Sequence, residues 1–453
     1  MRARRWITGG MAALALGAAG PSRPAEPDPA TQELRGMVED LEKEVAILRR
    51  KLEVQEETAA SKSSAPIVGA GADGFYLRSP DRAYELRLRG YTQFDGRYFS
   101  EESGPYVDTW LFRRVRPILE GTLGGVVDFK IMPDFAGSQL VLQDVYANLR
   151  YFPNANLQLG KFKAPFGLER LQSATALTFA ERALPTNLVP NRDLGVMLHG
   201  VLGEGLLQYQ LAYMNGVVDG GSADVDNGNA KDVVARVFSQ PFLNRSEAWL
   251  SGLSLGVAFN YGSQNTPGPL PTYKTAGQST FFAYATGVQS AENRVRFSPQ
   301  LTWYWGPFGL LGEYVNSQTG VVLGGRNKEY DNQAWQVAAS YVLTGETASF
   351  KGVLPTASFS LEKGTWGAFE VAARYNELRV DPDIFATGFA NPLTQAQRAR
   401  AWGVGGNWYL NRWIKLMLDY ERTYFQGGGG GTLADVGDRG DEGVFFFRTQ
   451  LSF

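Results

Sequence analysis

The sequence contains no cysteine and a single histidine, His199. Without cysteine the protein can form neither disulfides nor thiolate metal sites, and it has no thiol nucleophile. One histidine is too few for a metal site built on several imidazoles. His199 is also unaccompanied by the G-x-S-x-G motif of a serine hydrolase. We therefore predict no metal, no cofactor and no catalytic residues, so the protein is not expected to be an enzyme.

A large net charge and long hydrophobic runs are also absent. The chain has 44 Lys and Arg against 46 Asp and Glu, giving a net charge of −2. Nucleic-acid-binding domains are usually strongly basic, so nucleic acid is not expected as a partner. No apolar stretch is long enough for a membrane-spanning helix, which excludes a helical transporter.

The chain is instead rich in aromatic residues and glycine. Aromatic residues make up 13% of its 453 residues and there are 53 glycines, yet the mean hydropathy is only −0.22. A transmembrane β-barrel has this profile, because its strands alternate polar and apolar residues that cancel in an average.

The N-terminal segment resembles a secretory signal peptide. Arg2, Arg4 and Arg5 precede a short apolar stretch over residues 7–19, and small residues follow before Pro21. The apolar stretch is too short to span a membrane as a helix. We predict a signal peptide over residues 1–25 and export of the mature chain.

A heptad pattern follows in residues 31–57. Apolar residues are spaced alternately by four and three positions, which is typical of a coiled-coil seam: Leu34, Val38, Leu41, Val45, Leu48 and Leu52. A lone amphipathic helix packed on the main domain is the alternative. Residues 58–74, rich in Ala, Ser and Gly, are predicted to be a flexible linker.

From residue 75 to the end, the apolar period is two. In residues 84–98 one face carries mostly charged and polar side chains and the other mostly apolar ones, as a strand requires. We count about seventeen such strands, whereas outer-membrane barrels normally have an even number. The weakest, at residues 280–284, is assigned to an external loop. The prediction is an all-β fold, a transmembrane antiparallel barrel of sixteen strands over residues 75–453, with a secreted β-sandwich as the alternative.

Several motifs resemble the phosphate-selective porin O/P family. They lie at residues 160–170 (GKFKAPFGLER), 179–185 (FAERALP), 192–200 (RDLGVMLHG), 408–422 (WYLNRWIKLMLDYER) and 448–453 (RTQLSF). The resemblance implies a trimeric, sixteen-stranded outer-membrane porin that carries anions. It implies that an inward-folded loop narrows each pore and that arginines and lysines line the pore. It also implies that Arg113, Arg114, Lys130 and Asp144 lie near the constriction.

Strand parity places nearly as many carboxylates as cations in the lumen, so anion preference must come from clustering. The densest cationic cluster lies on the first three strands, and we predict that it lines the pore: Arg87, Arg89, Arg113, Arg114, Arg116 and Lys130. Arg113 has the wrong parity beside Arg114, which predicts a bulge or a position at the membrane rim for one of them. The alternative is that these arginines only pair with lumen acids and keep the barrel rigid.

Residues 164–193 are too many for a turn and contain several prolines and glycines, so they are the predicted constriction loop. Lys161, Lys163 and Arg170 are placed at its base. Lys161 and Lys163 share parity with Leu157 and Leu159, which predicts that both lysines lie beyond the lipid belt. The charged residues of the loop are expected to attach it to the wall by ion pairs: Glu169, Arg170, Glu181, Arg182, Arg192 and Asp193.

Together these features predict an outer-membrane porin for passive diffusion of small anions such as phosphate. The predicted partners are outer-membrane lipid, the anion and two further copies in a homotrimer, with the coiled coil in the periplasm. A general small-solute porin is one alternative. The other is a structural tether, in which the coiled coil links the outer membrane to peptidoglycan.

Overall fold

The computed structural model describes residues 28–71, 74–100, 106–225, 228–245 and 247–453. The described chain divides after Ala65 into a helical unit and a strand-rich unit. The predicted signal peptide lies outside the described residues. Within them, no helix is both long enough and apolar enough to cross a membrane.

The N-terminal unit is one long helix, α1, over Pro29–Ser64. Proline suits the first turn because its missing amide hydrogen would have no intrahelical partner there. The six heptad residues from Leu34 to Leu52 are between 45% and 61% exposed, so the apolar seam has no partner within this unit. The helix extends beyond the predicted residues 31–57 into the predicted linker. Most of the remaining linker forms strand Ile67–Gly71, which pairs with Gly74–Arg78.

Sixteen strands of the second unit form a closed antiparallel barrel. They are β1 Glu85–Phe99, β2 Thr109–Leu123, β3 Val127–Asp134, β4 Val141–Phe152, β5 Ala155–Lys163, β6 Arg192–Leu202, β7 Leu207–Met214, β8 Asp232–Ser239, β9 Leu253–Gly268, β10 Gln289–Trp305, β11 Phe308–Leu323, β12 Arg326–Val342, β13 Ala368–Arg379, β14 Arg398–Tyr409, β15 Ile414–Gln426 and β16 Glu442–Ser452.

Pairing of β16 with β1, from Val444 opposite Phe99 to Ser452 opposite Tyr91, closes the barrel. The predicted fold class and strand number are thereby confirmed. The doubtful segment, Thr280–Ala283, pairs with Thr272–Lys274 in a separate two-stranded sheet, as expected for a loop. Strand Gly74–Arg78 forms a hairpin with the start of β1. This hairpin lies at the end of the barrel where β1 begins and β16 ends.

The shorter elements lie in the connections between barrel strands. They are the helical turns Leu168–Leu171, Ala248–Ser251 and Asp383–Ala386, the 3-10 turns Leu184–Leu188 and Gly203–Gly205, and the hairpin of Gly428–Thr432 with Asp435–Asp438. We call the end of the barrel with the longest connections between strands the loop end, and the opposite end the turn end.

Alternation along each strand places polar side chains inside the barrel. On β10, Arg294, Arg296 and Ser298 are buried, whereas Phe297 is 43% exposed on the outside. A soluble β-sandwich has the reverse arrangement, with its apolar face inward. The polar-inside, apolar-outside pattern is that of a barrel whose outer surface contacts lipid.

Connections at the loop end fold back into the barrel and fill part of its interior. Tyr273, Phe281 and Phe282 from residues 269–288 pack with Phe389 from residues 380–397 in a buried apolar cluster. Rings of Tyr273 and Phe282 stack with centroids 5.2 Å apart. This loop cluster occupies one part of the interior, and open space remains beside β1 to β6.

Candidate pore and constriction

Residues 164–191, which join β5 to β6, cross the barrel interior, and we call them the constriction loop. Their backbone amides donate hydrogen bonds to the far wall. The amide of Leu168 donates to Glu313 on β11 at 2.7 Å, and that of Ala180 donates to Asp419 on β15 at 2.6 Å. Wall carboxylates therefore fix the loop by accepting bonds from amides that would otherwise lie buried without partners.

Cationic wall residues bind the carbonyls of the same loop. The Arg374 guanidinium donates to the Glu181 carbonyl at 2.7 Å, and the Lys415 ammonium donates to the Leu177 carbonyl at 2.7 Å. Arg448 donates to the Ala180 carbonyl. The hydrogen bonds of these three cations therefore hold the constriction loop in place.

Glu181 is the principal ion-pairing residue of the constriction loop. Its carboxylate lies 2.5 Å from Arg113, 3.1 Å from Arg97 and 3.6 Å from Arg448. Burial alone would raise the pKa of Glu181, but Arg113, Arg114, Arg97 and Arg448 together hold it well below its usual range. Glu181 is therefore a buried anion at neutral pH.

The other charged residues of the loop differ in whether they form ion pairs with the wall. Glu169 lies 4.0 Å from Arg374 on β13, as expected for an ion pair that attaches the loop to the wall. Arg170 and Arg182 form no such ion pair among the described residues. Arg170 donates to the Thr186 carbonyl at 2.9 Å, and Arg182 donates to the Glu169 carbonyl at 3.0 Å. The prediction that Arg170 and Arg182 attach the loop to the wall by ion pairs is therefore wrong, because their partners are backbone carbonyls of the loop itself.

A cavity of about 580 Å³ separates the constriction loop from strands β1 to β6. Eight cations line it against the two carboxylates Asp134 and Asp144: Arg113, Arg114, Arg116, Lys130, Lys163, Arg170, Arg182 and Arg192. The chain as a whole is nearly neutral, but the lining of this central cavity has a strong excess of positive charge.

Two further cavities adjoin this central one. A cavity of about 410 Å³ lies toward the loop end and shares four residues with it: Arg113, Arg114, Arg170 and Arg182. A cavity of about 220 Å³ lies toward the turn end, beside Arg89, Trp413 and Phe453. It shares Tyr91, Ile118, Lys130 and Ser173 with the central one. The central cavity thus adjoins the other two through different residues, and we call the four arginines that it shares with the loop-end cavity the arginine ring.

Several lining cations have carboxylate partners. Arg116 pairs with Asp134 at 2.7 Å, and Asp144 pairs with Arg192 at 2.7 Å and with Lys130 at 3.4 Å. The Tyr91 hydroxyl accepts a bond from Arg116 at 2.8 Å. These pairs hold one side of the cavity wall in a fixed geometry.

Four lining cations lack a carboxylate partner within the described residues. Arg114 donates to the Gln93 side chain at 2.6 Å and Lys163 to the Gln172 carbonyl at 2.9 Å, while Arg170 and Arg182 bind carbonyls as above. Burial lowers the pKa of Arg182 to about 10, which still leaves it protonated at neutral pH. The three arginines among them carry positive charge that no carboxylate pairs with in the described chain.

The paired arginines of β2 are explained by a bulge. Arg114 lies opposite Gln93 and Phe112 lies opposite Phe94, so Arg113 is the extra residue between two register positions. A bulge lets consecutive side chains point to the same side of a sheet, and both arginines line the central cavity. The bulge anticipated from parity is present.

The parity prediction for Lys161 is wrong. Gly160 has a φ of 128°, which interrupts the alternation of β5. Leu157 and Leu159 face outward, but Lys161 is only 4% exposed and pairs with Asp224 in residues 215–231. Lys163 lines the central cavity instead of lying beyond the lipid belt.

The remaining predicted residues fall in two places. Arg113, Arg114, Arg116, Lys130, Asp144, Lys163 and Arg170 surround the central cavity. Arg89 lies at the turn-end cavity and pairs with Glu120 at 3.0 Å, and Arg87 pairs with Glu85 at 2.5 Å. Parity placed Tyr91 on the polar face of its strand without singling it out as a lining residue. Arg182 was assigned to the constriction loop only as an ion-pairing residue, because parity does not apply inside a loop.

Comparison with known proteins agrees with this architecture. The family model for phosphate-selective porin O and P matches residues 86–424. Porin O of Pseudomonas aeruginosa is 25% identical over 398 residues, which cover 79% of this chain and 87% of that protein.

Solved structures show the same fold. The outer membrane channel DcaP of Acinetobacter baumannii superposes with a TM-score of 0.53 at 14% identity, covering 82% of this chain and 98% of that one. OmpT of Vibrio cholerae in its trimer form gives 0.51 at 9% identity, covering 82% and 100%. The family match over most of the chain identifies the protein as an outer-membrane porin channel and not an enzyme. The chain belongs to the phosphate-selective porin O and P family.

Proposed function

We propose that the protein is a porin for small anions, with phosphate as its solute. The observation that carries this proposal is the ring of Arg113, Arg114, Arg170 and Arg182 between two cavities, because three of these four arginines have no carboxylate partner in the described chain. A solute that passes from one cavity to the other meets several guanidinium groups at once.

The chemistry of the ring suits an oxyanion. A guanidinium can donate two parallel hydrogen bonds to a phosphate and stays charged at any physiological pH. Arg170 and Thr186 both line the loop-end cavity, and the Arg170 Nε and the Thr186 hydroxyl lie buried behind its surface without a hydrogen-bond partner among the described residues. Donors left unsatisfied by the protein favour a ligand that accepts hydrogen bonds.

Passage also requires that the anion leave again. Lys130, Lys163 and Arg192 line the central cavity beyond the ring, and Arg89 lies at the turn-end cavity. Several weak sites in series allow an ion to move on without being trapped, which is the condition for conduction. The cations that line successive cavities therefore favour an anion channel over a general pore.

Measuring the chloride current before and after phosphate is added tests whether phosphate is the solute. In planar bilayers containing the purified channel, we expect millimolar phosphate to reduce the chloride current, because phosphate occupies the arginine ring for longer than chloride does. A chloride current that is unaffected by phosphate would favour the general small-solute porin. Sulfate at equal ionic strength is the control for charge alone.

We also propose that α1 forms a trimeric coiled coil in the periplasm. The supporting observation is the exposed seam from Leu34 to Leu52, since an apolar stripe of this length gains from association. One related structure is described as a trimer. Replacing Leu41 and Leu48 by Lys should weaken the trimer in cross-linking experiments.

Deleting residues 31–57 would test the alternative that the coiled coil links the barrel to the cell wall. If the deletion variant no longer co-sediments with peptidoglycan but keeps its conductance, the result would support this tether.

A further inference from the structure

A cluster of arginines lies on the outside of the barrel, near its loop end. Arg379, Arg398, Arg400 and Arg422, on strands β13 to β15, face outward, because they alternate with the buried Leu378, Ala399 and Ala401 and with the inward-facing Glu421 and Thr423. Arg379 lies directly opposite Arg398, and Arg422 lies opposite Trp402. We call these four residues the outer arginine cluster.

Two acidic residues partly compensate this charge. Glu377 pairs with Arg398 at 2.7 Å, and Asp441 pairs with Arg422 at 3.2 Å. Arg379 and Arg400 form no ion pair among the described residues. Like charges directly opposite each other on neighbouring strands destabilise a sheet. Glu377, which pairs with Arg398, also lies directly opposite Arg400, so three neighbouring guanidinium groups share this one carboxylate. A further anion would stabilise the outer arginine cluster.

The aromatic residues beside the cluster fix its height in the membrane. Trp402 and Tyr420 contact each other on the outward face with ring centroids 5.5 Å apart, and Arg422 lies over the Tyr424 ring at 5.6 Å. Tyrosine and tryptophan mark the membrane interface in such barrels. Arg400 is two residues beyond Trp402 toward the loops, about 7 Å along the strand. The guanidinium groups thus lie at the level of lipid headgroups.

The cluster is confined to one side of the barrel. The matching outward positions near the loop end of β11 and β12 are neutral or acidic: Asn316, Gln318, Glu329 and Asp331. A general requirement for basic residues at the membrane surface would have placed cations all around the barrel. A local cluster indicates a local binding partner.

We propose that the outer arginine cluster binds the phosphate groups of a phosphorylated glycolipid in the outer leaflet. The loop end faces outward in an outer-membrane barrel, and guanidinium groups bind phosphate by paired hydrogen bonds. The adjacent Trp402 and Tyr420 rings provide an apolar surface for the first part of the acyl chains. The site is independent of the proposed channel function, because none of these side chains faces the lumen.

Lipid binding by the full chain tests this proposal. The variant Arg379→Gln with Arg400→Gln removes the two unpaired charges and leaves both ion pairs in place. The control, Lys328→Gln with Lys363→Gln, removes the same charge from exposed positions elsewhere. Native mass spectrometry in detergent would measure binding of bisphosphorylated lipid A, of the same lipid without phosphates, and of phosphatidylglycerol.

We expect the wild type and the control to bind the bisphosphorylated lipid preferentially, and the arginine variant to bind it roughly tenfold more weakly, as loss of charge-assisted hydrogen bonds implies. Equal binding by the arginine variant would overturn the proposal, and so would equal binding of the lipid without phosphates. If the arginine variant instead dissociates into monomers in the same spectra, the cluster is a contact between copies of the chain and the proposal is wrong. Unchanged chloride conductance would show that the variant is folded.

Discussion

Arg113 and Glu181 are joined across the barrel interior, with Arg113 Nε donating to the Glu181 carboxylate at 2.5 Å. The next residue, Arg114, donates to the neutral Gln93 instead. One arginine of the pair therefore anchors the constriction loop, whereas the other keeps its positive charge for the lumen. The bulge at Arg113 makes this division possible, since it turns both side chains inward.

Replacing Glu181 by Gln should destabilise the constriction loop. The variant leaves Arg97, Arg113 and Arg448 without their shared carboxylate, and removal of one member of a buried ion pair typically costs about 3 kcal/mol. We expect a lower unfolding temperature in heat-modifiability gels. The exposed Glu329→Gln is the control and should have no effect. Identical unfolding temperatures for both variants would contradict the anchoring role.

The depressed pKa of Glu181 predicts how this anchor responds to acid. A carboxyl group whose pKa is lower in the folded state stabilises the fold above its unfolded pKa, and this contribution is lost as the pH falls through the folded value. Because cations hold the pKa of Glu181 well below its usual range, the ion pairs should persist at pH 4. Single-channel conductance at pH 4 should therefore equal that at pH 7 in wild type; a stepwise increase near pH 4.5 would show that the anchor titrates normally.

Shortening the constriction loop should widen the pore. Deleting residues 173–178 removes the carbonyls that bind Gln93 and Lys415 but keeps Glu169 and Glu181. We expect a larger single-channel conductance and weaker discrimination between anions and cations. A conductance equal to that of the wild type would mean that this loop does not limit the flow of ions.

Gly160 should tolerate no side chain. Its φ of 128° is unfavourable for other residues, and a Cβ there would lie 2.2 Å from the Val145 carbonyl. Gly160→Ala is expected to lower the yield of folded barrel and to disturb the placement of Lys161. Gly312→Ala is the matched control on another strand, where a Cβ would meet no atom closer than 3.8 Å. Equal folding of both variants would refute the strain argument.

Most of the barrel could be predicted from sequence because alternation is a property of each strand by itself. The polar and apolar faces of residues 84–98 follow from parity alone, and the long register of β10 with β9 keeps the same pattern. The fold class therefore followed from alternation alone. The strand number of sixteen also required the rule that such barrels have an even number of strands, which left the weakest segment, residues 280–284, to a loop.

The candidate site was less predictable because its residues depart from regular alternation. Gly160 reverses the expected side for Lys161, and Arg113 faces inward only because of a bulge. Arg182 belongs to a loop, where neither parity nor helical period applies. Its place beside Arg114 depends on how the loop crosses the barrel, which is set by bonds such as that of the Ala180 amide to Asp419. Such contacts between the loop and the opposite wall cannot be predicted from the pairing of neighbouring strands.

The reversal potential in a potassium chloride gradient tests the central claim most directly. The wild-type channel should prefer chloride, and the variant Arg114→Gln, Arg170→Gln and Arg182→Gln should lose that preference, with its reversal potential moving toward zero. Arg150→Gln, which removes a cation paired with Asp128 near the turn end, should retain the wild-type value. If the triple variant keeps the wild-type reversal potential, the arginine ring does not select anions and the account of the pore is contradicted.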